Sequence, residues 1–402
     1  MKILAVNQFL KITLQIKRYT LKFLRRYQQV KFALRFFREN EILQISSKFH
    51  SSHSIHKYSK AEIIRIEPLS QEEDKLNITK QWNYLYGEYT VEQPYYYIAS
   101  NVRSFPNSFL VRAQDDSYMV WEQLGGRNAV IDEHLTELLP QKLRLLGKDQ
   151  PTIEVNFGVF LNTRNPNNYF HWLFDGINRL EALDEISINT KNIKYITTFS
   201  FTRWQKSILK AFGIKENQCV ELNGNVGSFK ELLVLSPRRN HFRYSLDNCN
   251  WLREKVRSAH KNSEPFLKSP RYSSRFIIGR KLNEGRCILN QDEVLEKLRS
   301  YGFQMYYLDE LDFLEQYELF NNAEIIISPH GAGLANILFC TKAHVIEIFS
   351  DRVLPFYFLL SKTLGLSYSC IQGNIDELSA FNKRPNIYVE INLLLDLIKN
   401  SF

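Results

Sequence analysis

Cysteine is scarce, with five in 402 residues. Cys219, Cys249, Cys287, Cys340 and Cys370 are scattered, odd in number and form no C-x-x-C pair. That spacing argues against a disulfide framework or a zinc site and for buried free thiols in a reducing compartment. Long apolar runs are missing too: no stretch reaches the roughly 18 uninterrupted residues that span a bilayer. The start, Met1 to Leu10, is apolar, but Lys11, Lys17 and Arg18 interrupt it and no small-residue cleavage site follows, so no secretory signal is expected. The sequon Asn77-Ile78-Thr79 is therefore read as chance. No Asp-x-Asp triplet occurs, and no His and carboxylate cluster has metal-ligand spacing, so neither a metal nor a cofactor is expected.

Acidic residues are nearly absent from one segment. Residues 1–50 hold eleven Lys and Arg but only Glu39 and Glu41, a net charge of +9 that equals the net charge of the whole chain. The remaining residues are electrically balanced, which argues against nucleic-acid binding through a broad basic face. Within the first 50 residues Phe9, Leu10, Leu14, Leu21, Leu24, Val30, Leu34 and Phe37 recur at roughly helical spacing, with no Pro or Gly among them. This predicts a basic amphipathic leader over 1–50, suited to an anionic membrane surface. The alternative is a helix that packs on the body with a solvated basic face.

What is present is the composition of a globular protein, 44% hydrophobic and 24% charged, long enough for two domains. Strands are predicted at 61–66 and 94–99, a hairpin around Asp115-Asp116-Ser117 and a helix at 132–146. Strands and helices then alternate: Val155 to Asn162, a helix from Tyr169 to Leu183, strand Ile193 to Thr198, helix Thr202 to Phe212, strand Glu231 to Leu235. The polar stretch Lys261 to Ser274 reads as a linker. A second alternating run follows it from Arg275, with a last helix at Ile391 to Lys399. Such alternation implies an α/β fold with parallel sheets. The expected architecture is two Rossmann-like domains facing a cleft, an N-terminal one at 51–260 and a C-terminal one at 271–385, with a closing helix at 386–402.

Four motifs bear chemistry. Ile325 to Ser328 runs into Pro329-His330-Gly331-Ala332-Gly333-Leu334-Ala335-Asn336, an apolar strand entering a small-residue turn that opens a helix. Free backbone N–H groups at such a turn suit a diphosphate, and Asn336 in place of a third glycine argues against a dinucleotide cofactor. In Asn168-Tyr169-Phe170-His171-Trp172-Leu173-Phe174-Asp175, His171 and Asp175 share one helix face, a pairing suited to general-base work or to stabilising a helix start. Arg280 directly follows a strand and, with Arg286 and then Asn290, suits a diphosphate. Glu347 interrupts the apolar strand Val345 to Phe349, either to accept hydrogen bonds from ribose hydroxyls or because the strand is an exposed edge.

Together these motifs resemble glycosyltransferase family 61, which includes bacterial capsular-polysaccharide transferases. The resemblance rests on Tyr169 to Trp172 with Asp175 and Arg179, on Arg280, Arg286 and Asn290, on Phe313 to Gln316 with Leu319, Phe320 and Ala323, on Pro329 to Leu334 with Asn336, and on Val345 to Glu347. It covers residues 150–370. Ala335 and Gln291 depart from the Thr and Glu usual in the family. The resemblance implies a GT-B-like fold, a nucleotide-sugar donor with a UDP-sugar expected, and inversion at the anomeric carbon. Asp175 is then the expected base, with His171 as competitor or orienting partner. Arg280, Arg286 and the amides of His330, Gly331, Ala332 and Gly333 are expected to hold the diphosphate, with Asn290 and Asn336 beside them, and Glu347 to hold the ribose. A glycan or lipid-linked glycan acceptor is expected, with a cytoplasmic bacterial protein peripheral on the inner face of the membrane. A non-catalytic nucleotide-sugar-binding or assembly protein and a dehydrogenase-like Rossmann protein are the other classes the residues leave open.

Overall fold

The computed structural model describes residues 53–70, 85–104, 111–114, 118–119, 151–162, 165–189, 191–240, 243–263, 271–376 and 384–399. The basic leader 1–50, the helix expected at 132–146, the sequon and the hairpin turn at 115–117 lie outside them. Within them the chain is mixed α/β, built on two principal sheets.

The first sheet is centred on β1 (Tyr95–Ser104), β2 (Ile153–Phe160), β3 (Lys194–Thr197), β4 (Cys219–Glu221) and β5 (Gly227–Leu235). Its order is β1-β5-β2-β3-β4, with β5, β2, β3 and β4 parallel and β1 antiparallel to β5. The short hairpin Val111–Arg112 and Tyr118–Met119 extends it beyond β1, as the alternation there predicts. The second sheet is wholly parallel. It comprises β6 (Arg275–Ile278), β7 (Gln304–Tyr306), β8 (Ile325–Pro329), β9 (His344–Phe349) and β10 (Ser367–Gln372), in the order β7-β6-β8-β9-β10. Its central strands are covered on both faces, which is why β8 is an unbroken buried run and not an alternating one.

In each sheet the order in which successive strands are added reverses at one point, and ligands of open α/β sheets bind at the carboxyl ends of the strands there. In the second sheet that point lies between β6, which leads into Gly279-Arg280, and β8, which leads into His330-Gly331. In the first sheet it lies between β2, which leads toward the helical segment 169–185, and β5, which leads to Arg238-Arg239. One apolar cluster runs from the helices beside the first sheet to those beside the second. It includes Phe170, Trp172 and Phe174 on one side and Leu334, Phe339, Tyr357 and Phe358 on the other.

The helices are α1 (Arg203–Ala211), α2 (Leu246–Ser263), α3 (Gln291–Leu298), α4 (Phe313–Asn321), α5 (Phe356–Thr363) and α6 (Ile391–Lys399). Thr202 and Asp312 close capping boxes on α1 and α4 with Gln205 and Glu315, satisfying otherwise orphaned N–H groups. The sequence reading misses α2, which runs into the stretch read as a linker. Its buried stripe is narrow, Cys249, Leu252 and Val256, in a polar run. It also passes over α5 and β10, whose near-continuous burial carries no alternation to read.

A candidate active site with two histidine–carboxylate pairs

The helical segment 169–185 is irregular. Asn168 caps it, its Oδ1 accepting from the N–H groups of Phe170 at 3.0 Å and His171 at 3.3 Å. One α-turn at Tyr169–His171 widens into a π-turn at Trp172–Gly176, tightens to 3-10 at Ile177–Glu181 and ends as α over Ala182–Glu185. Local widening of this kind re-aims side chains and recurs at functional positions. Gly176 sits where a Cβ would stand 3.0 Å from the carbonyl of Leu161, so the segment lies tight against the chain leaving β2.

His171 and Asp175 meet as their spacing predicts, with Nδ1 2.6 Å from Oδ2. With the carboxylate as acceptor, Nδ1 carries the proton and Nε2 is the open nitrogen. Sequence reasoning did not find the third member. Arg239, from the turn after β5, donates from Nε to Asp175 Oδ1 and from Nη2 to Asp175 Oδ2, both at 2.8 Å. Both side chains of this bidentate pair are 5% exposed, and the guanidinium also lies over the Phe170 ring. Burial by itself would raise the Asp175 carboxyl. Arg239, then His171 and Arg179, outweigh it and hold the group well below the usual carboxylate range. The only sequence signal for Arg239 is its place just past a strand's carboxyl end, the same logic that selects Arg280.

The second constellation lies at the switch point of the other sheet. Arg280 and Arg286 are half-buried, and the Nε of each is buried with no hydrogen-bond partner among the described residues. Burial depresses the Arg280 guanidinium. Burial, then the neighbouring charges of Arg280 and Arg384, depresses Arg286 to about 10, and both remain cations at neutral pH. Glu284 offsets Arg280 and Glu347 offsets Arg286 only in part, and guanidinium groups held near each other with no ion pair of their own among the described residues are a site for polyanionic oxygen. Gly331 abuts this site: a Cβ there would overlap the Arg280 guanidinium. Its backbone is extended, so the requirement for glycine is one of space, not of φ. The helix that follows, Ala332–Phe339, is 3-10 instead of α.

Several candidate residues turn out to hold the scaffold. His330's amide donates to the carbonyl of Ile348 at 2.8 Å and is not available to a ligand, which leaves the amides of Gly331, Ala332 and Gly333. Asn290 is spent on the backbone of Val389: its Nδ2 donates to the carbonyl at 2.9 Å and its Oδ1 accepts from the N–H at 3.0 Å. Asn336 is fully buried. Its Oδ1 accepts from Tyr169 Oη at 2.5 Å and its Nδ2 donates to Gln316 Oε1 at 2.8 Å, so it ties the start of the 169–185 segment to the second sheet's helices. Glu347 stands on β9, which is bonded on both sides by β8 and β10, so the edge-strand alternative fails. Its oxygens face His330 and Tyr368, not an open ribose pocket.

The constellations are joined by aromatic rings. Phe170, next to His171, packs edge-on to Phe356 at 5.4 Å and to Tyr357 at 5.9 Å, and Tyr357 lies 5.5 Å from the His330 ring. Burial first and Glu347 second push the Tyr357 phenol above its ordinary range, against Arg280, Arg286 and Arg239. That phenol therefore senses charges from both sides of the site.

Residues 169–346 match the model of the family described as Glycosyltransferase 61. The span contains both sheets' switch-point residues and the Arg239 turn. Curated relatives include the EGF domain-specific O-linked N-acetylglucosamine transferases of Mus musculus and Xenopus laevis, each 36% identical over 91 residues, and that of Pan troglodytes, 35% identical over 91 residues. The matched stretch is 21% of this chain and 17% of each of those proteins.

Proposed function

We propose that this chain transfers a sugar, with inversion, from a nucleoside-diphosphate sugar to a hydroxyl of a glycan acceptor. The observation that carries the reading is the pair of buried, unpartnered guanidinium donors of Arg280 and Arg286 beside the glycine turn at the switch point. Transfer deprotonates the acceptor hydroxyl, forms its bond to the anomeric carbon and breaks the bond to the diphosphate, which leaves with the electron pair. Arg280, Arg286 and the amides of Gly331 to Gly333 meet that charge, in keeping with the missing Asp-x-Asp triplet. A UDP-sugar is the donor proposed.

His171 takes the base role ahead of Asp175. A carboxylate bound bidentately by Arg239 is a weak base and would have to leave its partner to act. The same contact fits it to orient His171, whose side chain is 14% exposed and whose Nε2 is open. A two-domain GT-B-like arrangement, with the nucleotide on the second sheet and the acceptor on the first, belongs to the same proposal.

The setting we propose is cell-surface polysaccharide synthesis on a lipid-linked acceptor at the inner face of a bacterial membrane, for which the eleven cations of residues 1–50 speak. A protein acceptor is the second reading, favoured by the O-linked transferases that share 36% identity over 91 residues. The test is a thermal-shift and transfer panel of UDP-, GDP- and CMP-sugars on the full chain. Stabilisation by a nucleoside-diphosphate sugar, lost in Arg280→Ala, is the expected result. No stabilisation and no transfer with any donor overturns the reading.

A further inference from the structure

A second histidine–carboxylate pair is left unused by that reading. His330 Nδ1 lies 2.5 Å from Glu347 Oε1, and Tyr368 Oη donates to Glu347 Oε2 at 2.6 Å. Glu347 is fully buried, while the His330 side chain is 12% exposed. The imidazole stacks on Phe349 at 5.4 Å and leans on Tyr357 at 5.5 Å, so its orientation is fixed and Nε2 is its outward edge. The next residue, Gly331, leaves no room for a Cβ beside the Arg280 guanidinium, so His330 stands one residue from the anion site.

The two pairs share a geometry but not a charge balance. Asp175 is bound bidentately by Arg239 as well as by His171. Among the described residues Glu347 contacts no cation of its own other than His330, and its remaining partner is a neutral phenol. The Nδ1 side of the imidazole is taken by that buried carboxylate, an acceptor, and a diphosphate oxygen at the Nε2 edge is an acceptor as well, so the ring is placed to bridge the two as a donor. The charged and titratable groups around that imidazole are Glu347 from β9, bonded to it; Tyr368 from β10, bonded to Glu347; and Tyr357 from α5, whose phenol feels Arg280 and Arg286 from the chain after β6, while Arg286 also feels Glu347.

We propose that His330 is a second catalytic residue, whose Nε2–H donates to the diphosphate oxygen that gains charge as the bond to the anomeric carbon breaks. Glu347 and Tyr368 are positioning residues that act through it. The bond made is acceptor oxygen to anomeric carbon and the bond broken is anomeric carbon to diphosphate oxygen. The acceptor's proton goes to His171, and His330 keeps its own. The inference rests on the glycosyltransferase reading, and its test separates the two.

Removing one oxyanion donor typically lowers kcat by about 10² to 10³. His330→Ala in the full chain is expected to lower kcat by about 100-fold, with donor KM changed less than about threefold and His330→Gln recovering part of the loss. Titration with UDP and GDP, and with UMP and GMP as controls, reads the contact directly: the variant is expected to lose affinity for the diphosphate that the wild type binds but not for the monophosphate of the same base. Should His330→Ala not fold, His330→Gln and Tyr368→Phe carry the same comparison. Unchanged kcat in the folded variants, or equal losses for diphosphate and monophosphate, overturns this inference and leaves the transferase reading standing. A wild type that binds neither UDP nor GDP and transfers no sugar overturns both.

Discussion

Replacing His171 by Gln and, separately, Asp175 by Asn divides base chemistry from scaffold. His171 gives one hydrogen bond to Asp175, and its loss costs about 0.5–1.5 kcal/mol of stability. Loss of a general base costs about 10² to 10⁴ in rate, or about 2.7–5.4 kcal/mol in the barrier at 1.36 kcal/mol per tenfold. His171→Gln is therefore expected to stay folded and lose at least about 100-fold in kcat, with little change in donor KM. Asp175→Asn is expected to do something else. It removes the carboxylate charge that pairs with the buried Arg239 side chain, 5% exposed, a change that costs about 3–5 kcal/mol. The measurements are urea unfolding of each variant and steady-state kinetics normalised to folded protein. Wild-type turnover in His171→Gln, together with a stably folded but inactive Asp175→Asn, would refute the assignment and return the base role to Asp175.

The same carboxylate makes an acid-stability prediction. Its pKa is depressed in the folded state, so its contribution is full above the unfolded value of about 3.9 and is lost as pH falls toward the folded value. Acid unfolding below about pH 4 should be steeper in the wild type than in Asp175→Asn, as followed by circular dichroism. Gly331→Ala should raise donor KM at least about tenfold, since the added methyl displaces the Arg280 guanidinium. A change in kcat alone would contradict that. Tyr169→Phe should leave donor binding intact but slow transfer, because it frees the His171 segment from Asn336. Equal effects on both would place Tyr169 elsewhere in the mechanism. Asn290→Ala should cost about 1–3 kcal/mol in urea unfolding and leave kcat per folded molecule unchanged, since its amide holds only the Val389 backbone.

Much of this was legible in the residue order. Alternating apolar strands and amphipathic helices determine an α/β chain with parallel sheets, because periods of 2 and 3.6 follow directly from backbone geometry. The His171–Asp175 pair was legible because residues four apart on a helical segment meet whatever the rest of the chain does. Gly331 beside Arg280 was half legible: each stands just past a strand end, but only the order β7-β6-β8 makes those strands neighbours. The tertiary structure alone decided the partners. Asp175 and Arg239 are 64 residues apart, His330 and Glu347 17, Tyr169 and Asn336 167, and Asn290 and Val389 99. No local period relates such positions. Which buried charge meets which cation is set by sheet register and by the cost of leaving either unpaired, and those terms exist only once the strands are in place. The sequence by itself determined which polar side chains stand at strand ends and on one helical face, and the fold decided that Asp175 and Glu347 each meet a histidine while Asn290 and Asn336 tie the frame.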